Sequence, residues 1–428
     1  MKLHIANGRL VDPAHDFDQH ADLFIHDGKV VGITQAPDGF TADTVIDASG
    51  LVVCPGLVDL AARLREPGFE YLATLDSEME AAMAGGVTSL AIPPDTDPPL
   101  DEPGLVEMLR YRAKRLNKAH IYPVGALTER LEGKRLSEMA ELVDAGCIAF
   151  SQANFPISDN QVLYCALQYA ATFDFRVWLQ PITPHFAREG VAHDGEVASR
   201  LGLPGIPTAA ETIALFTYIE FARLTGAKLH ITRVSSAEGL NLIRRARHDG
   251  LDITCDVSIN HLHLCDMDIG YFNANCRLNP PLRSQRDREA LQAGLAEGDI
   301  DVLCSNHTPV DDDAKQIPFS EAEAGATGLE LLLPLALKWG QSRSLSLCDT
   351  LRRITINPAR VIGSRAGHLG VGARADVCIF DPAQETKVSR ESLRSQGKNT
   401  PFMGLSLPGK VRYTLVEGKI MYGHEHLK

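Results

Sequence analysis

The chain has 428 residues, 44% of them hydrophobic and 23% charged, with 35 Gly and 24 Pro spread along its length. At roughly 150 residues per domain this excludes a small module or a disulfide-stapled miniprotein and describes a globular chain that can bury a large core. The 42 Lys and Arg against 55 Asp and Glu leave a formal charge of −13, which repels phosphate backbones and anionic lipid. Nucleic acid and membrane surfaces are therefore poor partners.

The opening segment, Met1 to Gly8, has no apolar signal core, and no run of about 18 uncharged apolar residues follows, so a cytoplasmic location is expected. Nine cysteines stand apart, never as C-x-x-C, which fits reduced thiols better than a disulfide or zinc framework.

In chain order, residues 1–53 read as short strands between turns. Leu3–Ala6 runs into Asn7-Gly8, and Ala21–Ile25 is separated from Lys29–Ile33 by Asp27-Gly28, both hairpin signals. The same pattern returns in Ala375–Phe380 and Val411–Val416. The two ends, 1–53 and 359–428, are expected to build one small β-sandwich domain. Between them, residues 54–358 alternate apolar runs with helical patterns. Candidate strands are Leu51–Leu60, Val87–Ile92, Ile121–Ala126, Cys147–Phe150, Arg176–Leu179, Lys228–Val234, Ile253–Val257 and Val302–Ser305. Candidate helices are Leu75–Ala84, Leu105–Leu116, Glu138–Ala145, Gln161–Thr172, Ala209–Thr225, Ala237–His248 and Arg286–Leu295. Such a repeat predicts an α/β fold, a (β/α)8 TIM barrel, whose chemistry sits at the C-terminal ends of the strands.

The first of those ends reads Pro55-Gly56-Leu57-Val58-Asp59-Leu60-Ala61-Ala62-Arg63-Leu64-Arg65-Glu66-Pro67-Gly68. This frame resembles the dihydroorotase family of the amidohydrolase superfamily, whose motif is PG, two hydrophobic residues, then D-x-H-x-H-x-R-x-P-G. The resemblance continues through Pro94–Asp101, Gly202–Pro207 with Ala210-Glu211, Asn279–Arg283, Gly328–Glu330, Asn357–Ala359 and Asn399–Phe402. It implies the barrel of a metal-dependent hydrolase, in which zinc polarises a ring amide and activates water.

Each position that the resemblance assigns to that chemistry is changed here. Ala61 and Arg63 stand for the two metal histidines, and Gln152, in Phe150–Asn154, for the bridging carboxylate or modified lysine. Leu179 or Gln180, according to a one-residue register, replaces the histidine after the fifth strand. Arg233 takes the ligand place in His230–Ser236, and Asn306, the place of the base, has no accessible basic pKa near neutrality. A dication about 4 Å from an arginine is repelled by roughly 8 kcal/mol at an effective dielectric of 20. The zinc site is therefore expected to be lost, with no catalytic residue and no cofactor remaining. Arg65, Asn279 and His307 stand where the resemblance puts substrate contacts, Asp95 replaces the family's Asn and would set a negative charge beside a carboxylate substrate, and the four are expected to form a vestigial pocket.

Other clusters read as structural. His230 is a satisfied core histidine, and Asp311-Asp312-Asp313 is a solvated run. His261-Leu262-His263, on a strand end near Asp256 and Asp266, lies where the family has no zinc ligands, and His424-Glu425-His426 is a solvated tail. A barrel that keeps its frame and loses its ligands is most similar to the non-catalytic dihydroorotase-like chain that assembles with the aspartate carbamoyltransferase catalytic chain. The resemblance thus implies a structural subunit in a hetero-oligomer for pyrimidine biosynthesis. Two rivals stand beside it: an active cyclic amidohydrolase with an atypical or metal-independent site, and a regulatory barrel that binds a pyrimidine intermediate.

Overall fold

Eight parallel strands form one sheet whose spatial order follows the chain: β1 (Leu57–Asp59), β2 (Val87–Ile92), β3 (His120–Ala126), β4 (Ala149–Ser151), β5 (Arg176–Leu179), β6 (Lys228–Ile231), β7 (Ile253–Ser258) and β8 (Val302–Cys304). The computed structural model describes residues 1–187 and 189–423. Helices between the strands pack outside, as in Ala209–Thr225 against Ala237–His248. Local chemistry sets their limits. Thr74 and Ser77 make a reciprocal capping box before helix Leu75–Ala84, and Gly226, at φ 76°, ends Ala209–Thr225.

The barrel closes by a clasp rather than a full ladder. Asp59 at the end of β1 accepts the Ser305 N–H at 2.8 Å and the Ser305 hydroxyl at 2.5 Å, just beyond β8. Past it, Arg63 N donates to His307 O at 3.0 Å and His307 N to Ala61 O at 2.8 Å. At the opposite end Arg353 and Ile354 fill the seam, their carbonyls accepting from Leu303 N at 3.1 Å and Val58 N at 2.9 Å.

The chain ends supply two more sheets. One has six strands, in the order Lys419–Tyr422, Ser406–Val416, Val377–Lys387, Val52–Pro55, Arg9–Asp12 and Phe17–His20. The other has four, in the order Lys29–Ile33, Leu23–His26, Lys2–Ala6 and Thr44–Asp47. Period-two alternation divides the larger sheet between two cores. Val53, Val377 and Ile379 pack with Leu3, Ile5 and Leu23 of the smaller sheet, whereas Val52, Cys54, Cys378 and Phe380 join the core around the barrel.

The run Leu51–Leu60, read as one strand, is two. Val52–Pro55 pairs antiparallel with Val377–Lys387 in the outer sheet, and Leu57–Asp59 pairs parallel with β2. Gly56 makes the change of sheet feasible, because a Cβ there would lie 2.2 Å from Thr88 Oγ1. Among the described residues no helix is long and apolar enough to cross a membrane. The segment His424-Glu425-His426 lies outside the described residues.

Candidate active site at the strand ends

Ala61, Arg63, Ser151, Trp178 and Arg233 line one cavity at the C-terminal mouth of the barrel, of about 30 Å³. Two arginines stand in a wall that is otherwise mostly apolar. Arg63 follows β1, is 6% exposed, and points its Nε at Asp95 Oδ2, 2.8 Å away, with Nη1 donating to Thr308 Oγ1 at 3.3 Å. Burial alone would raise the Asp95 carboxyl, but Arg63, then Arg65 and Arg233, outweigh it and hold it below the usual carboxylate range.

Arg233 follows β6 with φ 58°, a left-handed conformation sparsely used by side-chain-bearing residues. Asp256 holds it there by accepting its backbone N–H at 2.8 Å. Its guanidinium reaches two neutral acceptors, Asn154 Oδ1 at 2.9 Å and Gln180 Oε1 at 3.0 Å. Burial, with Arg63 nearby, pushes this guanidinium down to about 10. Gln180 in turn donates to Asn279 Oδ1 at 2.7 Å.

Of the two residues left open after the fifth strand, Gln180 is the one whose side chain meets Arg233. Gln180 and Trp178 share the inner side, while Leu179 packs into the core among the helices. Gln152 is occupied by the Thr128 hydroxyl, 2.8 Å from its Nε2. Asn306, at φ 48°, donates to Asn279 O at 3.3 Å and leaves its buried Oδ1 without a partner among the described residues.

The four residues expected to form a vestigial pocket are each held by other partners. Asp95 serves Arg63, and Asn279 joins the Gln180 and Asn306 network. Arg65, also left-handed at φ 65° and 10% exposed, donates to Pro309 O at 2.9 Å and reaches Glu323 at 3.5 Å. His307 points away from the mouth into the core. Its Nδ1 accepts from Gly328 N at 3.1 Å, so Nε2 carries the proton and donates to Glu78 Oε2 at 2.7 Å. Both side chains are 0% exposed, and the ring has no free nitrogen to offer a ligand.

The remaining histidines are likewise committed. His230 bridges Thr254 Oγ1 and Asp256 Oδ2, each at 2.9 Å. His261 and His263 lie on the helical turn Ile259–His263 rather than on a strand end. Their rings meet Ser258 Oγ and Pro281 O, and Leu335 O, respectively, and burial pushes each down to about 4. Asp312 pairs with Arg390 at the surface. Among the described residues no group of three or more His, Cys, Asp or Glu side chains is placed to hold a metal ion. The donors at the mouth are amides and guanidinium groups, which do not fit the zinc of the family's chemistry.

Two contributors escaped the sequence reading, Trp178 and Asn154. Period-two alternation from Gln180 could have placed Trp178 inside. No sequence signal marks Asn154, whose role depends on the reach of Arg233 across the barrel.

The architecture is that of the amidohydrolase barrels. A family model described as dihydro-orotase-like matches residues 50–239, and one described as amidohydrolase family matches residues 338–422. A dihydroorotase-like protein of Pseudomonas aeruginosa is 43% identical over 422 residues, covering 99% of this chain and 100% of that one. A protein named dihydroorotase from Syntrophus aciditrophicus is 38% identical over 423 residues, with 99% of each chain covered. The L-hydantoinase (dihydropyrimidinase) structure from Arthrobacter aurescens superposes with a TM-score of 0.87 at 26% identity, covering 98% of this chain and 95% of that one. The chain belongs to the dihydroorotase-like family of amidohydrolases.

Proposed function

We propose that this chain is a catalytically inactive dihydroorotase homologue, a zinc-free cytoplasmic subunit that supports an aspartate carbamoyltransferase catalytic chain in pyrimidine biosynthesis. The observation that carries the loss of activity is the arginine network at the mouth. Arg63 paired with Asp95, and Arg233 bound to Asn154 and Gln180, leave about 30 Å³. Sites for small organic ligands begin near about 300 Å³. A six-membered cyclic amide with a carboxylate does not fit without dismantling the network. Among the described residues no group of His, Cys, Asp or Glu replaces the metal donors that the substitutions removed.

The assembly role is supported by the resemblance to non-catalytic chains of this kind and by the retention of a full barrel with an intact clasp. Apolar surface is also present. Ile213, Phe216 and Leu224 are 43%, 65% and 63% exposed along one side of helix Ala209–Thr225. Binding that favours the folded partner stabilises it by mass action. The test is to express the transcarbamoylase chain with and without this protein and compare particle size and carbamoyl aspartate formation. A larger, more active or more stable particle is expected in its presence. Identical preparations, together with chelator-sensitive dihydroorotate hydrolysis by the purified chain, would favour the active amidohydrolase instead.

A further inference from the structure

The chain beyond β7 and the helical turn Ile259–His263 carries an apolar tip on a stiff base. Tyr271 is 92% exposed, and Met267 and Phe272 beside it are 64% and 38% exposed. The two rings meet edge to face, their centroids 5.4 Å apart. Single exposed apolar side chains are ordinary, but three within residues 267–272 are a local concentration. The base does not let them collapse. Cys265 N donates to Asp268 Oδ2 at 2.8 Å, Asn273 N to Ile269 O at 2.9 Å and Cys276 N to Asn273 O at 2.9 Å. Ile269 and Cys276 are buried in a small core shared with Val191, Ala192 and Phe319. Phe272 itself has φ 61°, a left-handed conformation that is costly for a bulky residue and persists only where its surroundings impose it. That strain fixes an aromatic pair in solvent, where it returns nothing to the stability of the fold.

Charge beside the tip is mostly of one sign. The strap of residues 311–324, beyond β8, is pinned to the base by Lys315, which donates to Ala274 O at 3.0 Å and Arg277 O at 3.2 Å. The strap holds Asp311, Asp312, Asp313, Glu321 and Glu323, with Lys315 as its only base. The third proton of Lys315 goes to Glu323 O at 2.7 Å, so the ammonium donates to none of these carboxylates. Asp312 pairs with Arg390, and Glu323 reaches Arg65. Asp311, Asp313 and Glu321, together with Asp268 in the tip, are exposed and make no ion pair among the described residues.

We infer that residues 267–272 are the anchor for a protein partner whose surface offers an apolar pocket with a rim of Lys and Arg. Aromatic side chains that are rigid before binding lose little entropy on docking, and a few such residues carry most of an interface's energy. The acidic strap decides what kind of surface fits. A second copy of this chain brings the same negative charge to the contact, whereas a basic rim is drawn to it and oriented by it. The inference rests on the assembly reading proposed above, in which that basic surface belongs to the transcarbamoylase chain.

The experiment titrates the purified full chain with the purified transcarbamoylase chain and reads association by sedimentation velocity and stopped-flow kinetics. Tyr271→Ala should weaken the complex by at least about 30-fold, the loss expected of an interface anchor, while leaving Tm unchanged because the ring lies in water. Asp311→Asn with Glu321→Gln should slow association and flatten its dependence on salt. Tyr111→Ala, which removes an exposed ring from helix Pro103–Leu116, should change neither. If the wild type binds and Tyr271→Ala binds within about threefold of it, the anchor is wrong and the assembly reading stands. A loss in Phe216→Ala with Tyr271→Ala intact would move the contact to helix Ala209–Thr225 and overturn the inference. A change in the oligomeric state of the chain alone on Tyr271→Ala would make the occupant a second copy, which also overturns it. No association of the wild type at all would sink the assembly reading itself, and the anchor with it.

Discussion

Replacing Asp95 by Asn asks how much the arginine network depends on its one carboxylate. Asp95 and Arg63 are 11% and 6% exposed and meet at 2.8 Å, so the pair is shielded from solvent and only weakly screened. Removing one partner of a buried pair costs about 3–5 kcal/mol, chiefly because the other charge stays buried without compensation. With Asp95 slightly open to solvent, the lower end applies, and Asp95→Asn should cost about 3 kcal/mol at pH 7. For a chain of this length that corresponds to a fall of about 3 °C in Tm. The pH dependence has a fixed sign. The folded carboxyl lies below its ordinary value, so its contribution is complete above about pH 4 and is lost as pH falls through the folded value. The gap between wild type and variant should therefore close in acid. Arg63→Met with Asp95→Leu, which removes both charges, should recover most of the stability. Calorimetry from pH 7 down to about pH 3 makes the comparison. A loss below about 0.5 kcal/mol at pH 7, or a gap that widens in acid, would refute the buried-pair reasoning.

Glu78→Gln should cost about 2 kcal/mol, because Glu78 accepts from His307 Nε2, Ser395 Oγ and Gln396 N, and an amide gives up one acceptor; urea midpoints measure it. Gly56→Val should destabilise by about 3 kcal/mol or more, since its Cβ would begin 2.2 Å from Thr88 Oγ1, and thermal unfolding checks it. Ala61→His with Arg63→His should restore neither zinc binding nor dihydroorotate turnover, because Gln152, Arg233 and Asn306 remain. Substantial chelator-sensitive hydrolysis in that double variant would mean that the later strand ends have been wrongly matched to the family's ligand positions.

Much of the barrel was legible because its code is local. Helices Leu75–Ala84, Ala209–Thr225 and Ala237–His248 run between the residues that periodicity predicts, since caps such as Thr74 and Ser236 and stops such as Gly226 lie in adjacent sequence. The division of Leu51–Leu60 was not legible, because the obstacle at Gly56 is Thr88, which arrives from the neighbouring strand. The sequence singled out positions 61, 63, 152, 179 or 180, 233 and 306, but it could not show their partners. Arg233 reaches back 53 residues to Gln180 and 79 to Asn154, distances over which no sequence pattern operates. His307 shows the same limit, since its tautomer and direction are set by Gly328 and Glu78 on other elements.

Contacts of this kind also hold the family's frame independently of its chemistry. Asp59 closes the barrel through Ser305, and Glu211 holds the turn after β6 through the Ser235 and Ser236 N–H groups at 3.2 and 3.0 Å. Asn399 ties three segments together, accepting from Val310 N at 3.0 Å and donating to Thr308 O and Gly325 O at 3.1 Å. Each is a buried polar group whose loss would leave partners unsatisfied at about 1–3 kcal/mol apiece, whether or not the barrel turns over a substrate. Selection for folding alone is enough to keep them. On the proposed reading that the metal is lost, the ligand positions carry no such structural burden, and the arginines at 63 and 233 are accommodated by partners such as Asp95 and Gln180. Agreement across the frame therefore establishes ancestry and fold, while activity has to be argued from the few strand-end residues on which the clasp and the turns do not depend.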